Sequence, residues 1–234
     1  MRIHTADDRA RLADDLADAC IDVLAARQEL GEIPCIVLTG GSMGEASLSA
    51  LGRHPRAGLI EWDRVRFLWG DERWVPAGDP ERNDRLADDL LFSQQRVDGA
   101  LVHRVPASDS GLSLDDAARS YAQLVDGIDR IDVVFCGVGP DGHVASLFPG
   151  RDDLLREDGP AALPVRESPK PPPQRVTLSL STLRRGHAVW LLAAGAEKAP
   201  AVRSILAAER GLPAALVEGR EETVVWADRA ALGA

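Results

Sequence analysis

Short, predominantly apolar runs separated by stretches of helical periodicity constrain this chain more than any other feature. Residues 35–38 (Cys-Ile-Val-Leu) and 131–136 (Ile-Asp-Val-Val-Phe-Cys) have the length of strands and lack strict polar alternation. Such runs suit strands buried on both faces of a parallel sheet. Residues 65–69 repeat the pattern less cleanly, and further strands are expected at 175–180, 188–193 and 223–226. Between them lie helical patterns at 46–51, 84–92, 114–125 and 199–208, with Ser113 as a cap for the third. Thr5 with Asp8 three residues on predicts a capped first helix, its apolar stripe being Leu12, Leu16, Ala19, Cys20 and Val23. Gly31 and Pro34 end it. Strands alternating with helices imply crossover connections, and so a three-layer α/β fold with a mostly parallel, Rossmann-like sheet and helices on both faces. One domain spanning 1–234 is the economical arrangement, with 45% apolar residues to fill it.

Charge and cysteines narrow the function classes. A formal charge of −10 argues against a nucleic-acid or membrane surface, which needs a basic face, but leaves room for a local anion site. Cys20, Cys35 and Cys136 are odd in number and lack CxxC spacing, so neither a disulfide framework nor a zinc site is expected. No secretory leader opens the sequence and no apolar run is long enough to span a bilayer, which points to the cytoplasm.

Ligands of parallel sheets bind at the carboxyl ends of the strands, so the segments following the apolar runs carry the functional reading. Four stand out. Gly40-Gly41-Ser42 joins a strand to a helix and offers backbone N–H groups to an anion, although as a lone motif it is equally a tight turn. Asp71-Glu72-Arg73 packs two carboxylates and a guanidinium at a strand end, suited to a sugar and its phosphate unless it is a solvated charge run. Gly137-Val138-Gly139-Pro140-Asp141-Gly142-His143 delivers an acid and an imidazole together, and His143 is the one histidine in a setting suited to proton transfer. Gly195-Ala196-Glu197-Lys198 places a cation at a helix start. Each is weak alone; four on one chain, each after a strand, are not. Ser168-Pro169-Lys170-Pro171-Pro172-Pro173 is an extended loop feeding the strand at Arg175.

Taken together these segments resemble the 6-phosphogluconolactonase family, along nearly the whole chain. The likeness rests on Gly40-Gly41-Ser42, on Asp71-Glu72-Arg73-x-Val75-Pro76 with Asn83, and most specifically on residues 137–149, ending Ser146-Leu147-Phe148-Pro149. Arg175-Val176-Thr177-Leu178 and Gly195-x-x-Lys198 complete it. Met43-Gly44, Arg82 and Arg184 depart from the pattern, where Thr-Pro, Ser and Asn are usual. The resemblance implies a fold shared with glucosamine-6-phosphate deaminases and ribose-5-phosphate isomerases. It implies hydrolysis of 6-phospho-D-glucono-1,5-lactone in the oxidative pentose phosphate pathway, with no metal or other cofactor and functional coupling to glucose-6-phosphate dehydrogenase. It further implies His143 as the group activating water, and Arg73 and Lys198, with the backbone of Gly40, Gly41 and Ser42, as phosphate ligands. Arg175 joins them as a binding residue, and Asp71 would hold sugar hydroxyls or position the site. Deaminases share the Asp-Gly-His loop but carry Asp-Glu-Tyr and, further on, Phe-Asn-Glu-Pro. Their acid falls at Phe148, which exchanges no proton, so the lactonase is favoured.

The expected mechanism is attack by water with His143 as base and then acid. Backbone donors of Gly139 to Gly142 are the expected oxyanion site, and Asp141 or Asp71 orients the imidazole. Ser42 and Ser146 lie in the right loops, but neither sits in a nucleophile elbow. A non-catalytic sugar-phosphate sensor is the alternative of another class, disfavoured by an intact Asp141 and His143.

Overall fold

In the computed structural model, which describes residues 1–156 and 158–233, the apolar runs become the centre of a six-stranded sheet. Its strands are β1 (Arg2–Ala6), β2 (Cys35–Leu38), β3 (Arg66–Trp69), β5 (Ile131–Gly137), β8 (Gly186–Ala193) and β9 (Glu222–Asp228), in the order β1-β9-β8-β5-β2-β3. Every pairing within it is parallel. A second sheet, β4 (Asp71–Arg73), β7 (Arg175–Leu178) and β6 (Ala162–Val165), is antiparallel.

The period-two geometry of the strands splits the core in two. Cys35, Val37, Val134, Cys136, Val189 and Leu191 pack to one side of the sheet, with α4 (Leu114–Asp126), α6 (Ala199–Leu206) and the small sheet. Ile36, Leu38, Val133, Phe135, Trp190 and Leu192 pack to the other, under α1 (Arg9–Glu29) and α2 (Gly41–Arg53). Three layers are therefore present, but one outer layer combines helices with a sheet. The segment at Arg175 belongs there, pairing antiparallel with β4, and not in the parallel sheet where its sequence pattern placed it.

Asp8, not Thr5, caps α1, its side chain accepting the N–H of Arg11 at 2.9 Å; Thr5 lies within β1. The buried stripe is Leu12, Ala13, Leu16, Ala17, Cys20, Ile21 and Leu24, so Ala19 and Val23 flank it. Ser113 caps α4 as expected, accepting from Asp116. The 84–92 pattern divides into α3 (Asn83–Ala87) and a π-helical stretch, Asp88–Phe92. The shortest helices, α5 (Leu180–Leu183) and α7 (Pro213–Leu216), serve as connectors. Tyr121 of α4 binds both backbone groups of Trp69, its hydroxyl accepting the N–H at 2.8 Å and donating to the carbonyl at 2.9 Å. That pins the end of β3 where the chain turns into β4. Among the described residues no helix is long and apolar enough to cross a membrane.

Candidate active site

The order of the sheet reverses between β2 and β5: the chain leaves β2 towards β3 on one side and leaves β5 towards β8 on the other. Such a switch point opens a crevice at the carboxyl ends of the strands. A cleft of about 250 Å³ lies there, lined by Gly40, Gly41, Ser42, Asp71, Arg73, His143, Arg175 and Lys198. The four sequence segments thus meet in one place, since β8, β5, β2 and β3 are consecutive neighbours. Asp141 stands behind His143. Thr39, Met43, Asn83, Lys170 and Pro171 also contribute to the lining.

After β5 the chain folds into a closed turn. The Gly139 N–H donates to the carbonyl of His143 and the Gly142 N–H to that of Gly139, each at 2.9 Å. These two donors are consumed by the turn, which corrects the expectation that they serve an oxyanion. What the turn achieves is a side-chain pair: His143 Nδ1 lies 2.5 Å from Asp141 Oδ1. Gly139 is required by this pair, because a Cβ there would sit 2.0 Å from His143 Nδ1 and 2.6 Å from Asp141 Oδ1. Of the two candidates for orienting the imidazole, Asp141 is the one in reach. Burial pulls the His143 pKa down, and the Asp141 bond and charge offset that only in part, leaving it below the ordinary 6.5. Burial also acts on Asp141, but the bond to His143, its charge and that of Lys170 outweigh it and hold the carboxyl below its usual range. Beyond the histidine, Ala145 adopts φ +49°, a left-handed conformation that strains a residue with a side chain.

The Asp-Glu-Arg segment is a strand, not a loop. Alternation along β4 sends Asp71 and Arg73 into the cleft and Glu72 away from it. Asp71 is buried; its Oδ2 accepts the Ser146 hydroxyl at 2.6 Å and its Oδ1 the Asn83 amide at 3.3 Å. Ser146 is therefore engaged with a carboxylate and has no histidine beside its hydroxyl among its hydrogen bonds. Arg73 donates to the carbonyl of Glu81 at 2.5 Å and turns towards the cleft.

Arg175, opposite Arg73 in the β4–β7 pairing, lines the cleft; its Nη1 donates to the Ser146 hydroxyl at 3.4 Å and lies 3.7 Å from Asp71 Oδ2, while its other donors go to the proline-rich loop. Its Nη2 bonds the carbonyls of Lys170 and Pro171 at 2.9 and 3.0 Å, and its Nε that of Pro172 at 3.2 Å. The result is a braced loop that presents Lys170 to the cleft, 3.9 Å from Asp141. Lys170 was missed in the sequence because a single cation in a polyproline-like stretch has no local signature. Lys198 follows Gly195, whose φ of +102° makes the turn and whose N–H is held by both carboxylate oxygens of Asp228 at 3.0 and 3.1 Å. Burial lowers the Lys198 pKa. At the opposite wall α2 starts with Gly40 as N-cap and no side-chain cap, so its first-turn N–H groups face the cleft unclaimed by side chains. No group of three or more His, Cys, Asp or Glu among the described residues is placed to hold a metal ion.

The sequence profile described as glucosamine-6-phosphate isomerases/6-phosphogluconolactonase matches residues 7–226. A 6-phosphogluconolactonase of Streptomyces coelicolor is 40% identical over 237 residues, covering 96% of this chain and 90% of that protein. Among solved structures, the 6-phosphogluconolactonase of Thermotoga maritima superimposes with a TM-score of 0.86 at 28% identity, covering 97% of this chain and 99% of that one. A monomeric glucosamine-6-phosphate deaminase superimposes with a TM-score of 0.84 at 21% identity, over 100% and 99% of the two chains, a likeness of fold alone.

Proposed function

The chain belongs to the family of glucosamine-6-phosphate isomerases and 6-phosphogluconolactonases, and from that premise we propose that its cleft hydrolyses 6-phospho-D-glucono-1,5-lactone to 6-phospho-D-gluconate. The observation that carries the reading is the His143–Asp141 pair facing a cleft ringed by Arg73, Lys170 and Lys198. With Nδ1 engaged by Asp141, Nε2 is the nitrogen left to take a proton, and the imidazole is neutral at pH 7 because its affinity is depressed. A sugar phosphate is a dianion at one end and, as a lactone, an activated ester at the other; the cleft offers cations and a base together.

Water attacks the lactone carbonyl carbon while His143 accepts its proton. The C–O bond to the ring oxygen then breaks, and the imidazolium returns the proton to that oxygen, giving the open-chain carboxylic acid, which releases its own proton to solvent to become the carboxylate. Arg73, Lys198 and the N–H groups at the start of α2 hold the phosphate. Lys170, beside the catalytic pair, is the cation placed to meet charge developing at the carbonyl oxygen. Arg175 braces its loop, and Asp71 offers its carboxylate to sugar hydroxyls.

The deaminase reading needs a proton-exchanging group where Phe148 stands. That ring is buried, its centroid 4.9 Å from that of His143. In the proposed role the substrate comes from glucose-6-phosphate dehydrogenase in the oxidative pentose phosphate pathway. The test is hydrolysis of freshly generated lactone, with the spontaneous rate subtracted. The purified protein is expected to accelerate it, and His143→Ala to remove roughly 10²–10⁴-fold of kcat. Absence of acceleration sinks the proposal, and ammonia release from glucosamine 6-phosphate or stabilisation by ligand without turnover decides between the deaminase and the sensor.

A further inference from the structure

Of the two acids in β4, Asp71 faces the cleft and Glu72 faces away, 1% exposed. Glu72 is nonetheless the most heavily bonded side chain of that strand. Its Oε1 accepts the N–H groups of Arg73 and Asn83 at 2.8 and 2.7 Å, and its Oε2 that of Asp84 at 2.8 Å. Arg82 Nη2 lies 3.8 Å away, on a guanidinium that is itself buried and bidentate on Asp84 at 2.9 and 2.7 Å. The first turn of α3 is thereby fastened beneath β4. Asn83, the first residue of that turn, reaches the cleft wall in two directions. Its Nδ2 donates to the Asp71 carbonyl at 2.9 Å and to the Asp71 carboxylate at 3.3 Å. Its carboxamide lies so close to Gly40 that a Cβ there would be 1.8 Å from Oδ1.

We propose that Glu72 is a positioning residue for substrate binding: by anchoring the start of α3 it fixes Asn83, which in turn holds Asp71 in place against the Gly40–Ser42 loop. The proposal rests on the lactonase reading of the cleft. A buried carboxylate is an expensive way to fill space, and apolar packing of similar volume stabilises at least as well. Three N–H groups in one small volume, two of them at a helix start, give the carboxylate a specific task that packing cannot perform. The departure from the family pattern at Arg82 fits: its guanidinium neutralises Asp84 and stands over Glu72, adding charge balance to the same anchor.

Glu72→Gln replaces one acceptor oxygen with a donor that confronts the Asp84 N–H. At about pH 8, where the wild-type carboxyl is ionised, its KM for the lactone is expected to rise about tenfold, the equivalent of about 1.4 kcal/mol. Its kcat should stay within about twofold. A merely structural loss would lower the active fraction and so kcat, leaving KM alone. The side-chain amide resonance of Asn83 in a ¹⁵N-labelled sample is expected to move and to lose protection from exchange. Unchanged KM with an unchanged Asn83 resonance overturns the proposal, as does a fall in kcat alone. Should the variant fail to fold, Asn83→Ala with Glu72 intact must raise KM in the same way, and a wild-type KM there overturns it equally. Should the wild-type protein open no lactone, the functional reading falls. The Asn83 resonance in Glu72→Gln then decides the anchoring by itself.

Discussion

At His143 two opposing influences set the proton affinity. Burial disfavours the imidazolium and is the larger; the Asp141 hydrogen bond and charge favour it, Lys170 opposes, and Asp71 assists from farther off. Removing the carboxylate charge leaves burial and Lys170 unopposed at close range. Asp141→Asn is therefore expected to move the acid limb of kcat/KM to lower pH while the plateau falls, by about 10²-fold or more, because the ring loses the partner that fixes its tautomer. A pH–rate profile checks both parts; an acid limb shifted upward would mean that Asp141 does not face the imidazole during turnover. At this scale the sequence was informative about chemistry and silent about pairing. An acid two residues before a histidine reaches it only if the turn between them is tight. The tightness depends on Gly139 having no side chain and Gly142 a φ of +80°, facts of backbone rather than residue type.

Elements deliver these groups, and several work through residues outside the cleft. Asp228 ends β9 and accepts the N–H of Gly195 with both oxygens and that of Ala231 at 2.8 Å. It thereby fixes the loop that carries Lys198. Asp228→Ala leaves those donors unpaired, at a cost of about 2 kcal/mol. Thermal unfolding should show that loss. Because Lys198 is released while the His143 turn is untouched, KM should rise with little change in kcat. A kcat that falls at constant KM would show that Lys198 works at the carbonyl instead. The same reasoning applies to the proline-rich loop: Lys170→Ala, which leaves the Arg175 bonds to backbone carbonyls in place, should lower kcat if Lys170 meets the oxyanion. Steady-state kinetics separates that from a phosphate role, which would raise KM. The inner strands of the parallel sheet and the edge strand β3 were legible because each carries an apolar run, whereas the other edge strand β1, Arg-Ile-His-Thr-Ala, carries none and was missed. β4 and β6 were missed too, since three or four residues that include Asp71, Glu72 and Arg73, or Pro164, carry no strand signal apart from their partner β7. β7 showed as a strand in the sequence, and its two partners form by tertiary pairing with it.

The molecule as a whole places a nearly fully buried carboxyl, Glu72, behind the cleft wall, and its stability registers that. Burial, reinforced by the charge of Asp84, pushes the Glu72 carboxyl up to about 7, against the pull of Arg82 and the N–H bonds of Asn83 and Asp84. Its charge is also felt by Arg175 on β7 and by Tyr121 on α4. An unfolded glutamate releases its proton near 4.5, so between 4.5 and about 7 the native state holds a proton that the unfolded chain has lost. The contribution is complete below 4.5 and disappears as pH rises through about 7, a difference on the order of 3 kcal/mol at about 1.4 kcal/mol per pH unit. Every other titrating group is common to the wild type and Glu72→Gln, so the difference between their melting temperatures isolates this residue. The wild type is expected to compare more favourably with the variant at about pH 5 than at about pH 8, by several degrees for a chain of this size. Melting curves that run parallel across that range would show Glu72 ionised throughout, its native proton affinity no higher than in the unfolded chain. A crossing of the two curves would show the wild type giving up stability near neutrality to keep a charged anchor under the substrate site.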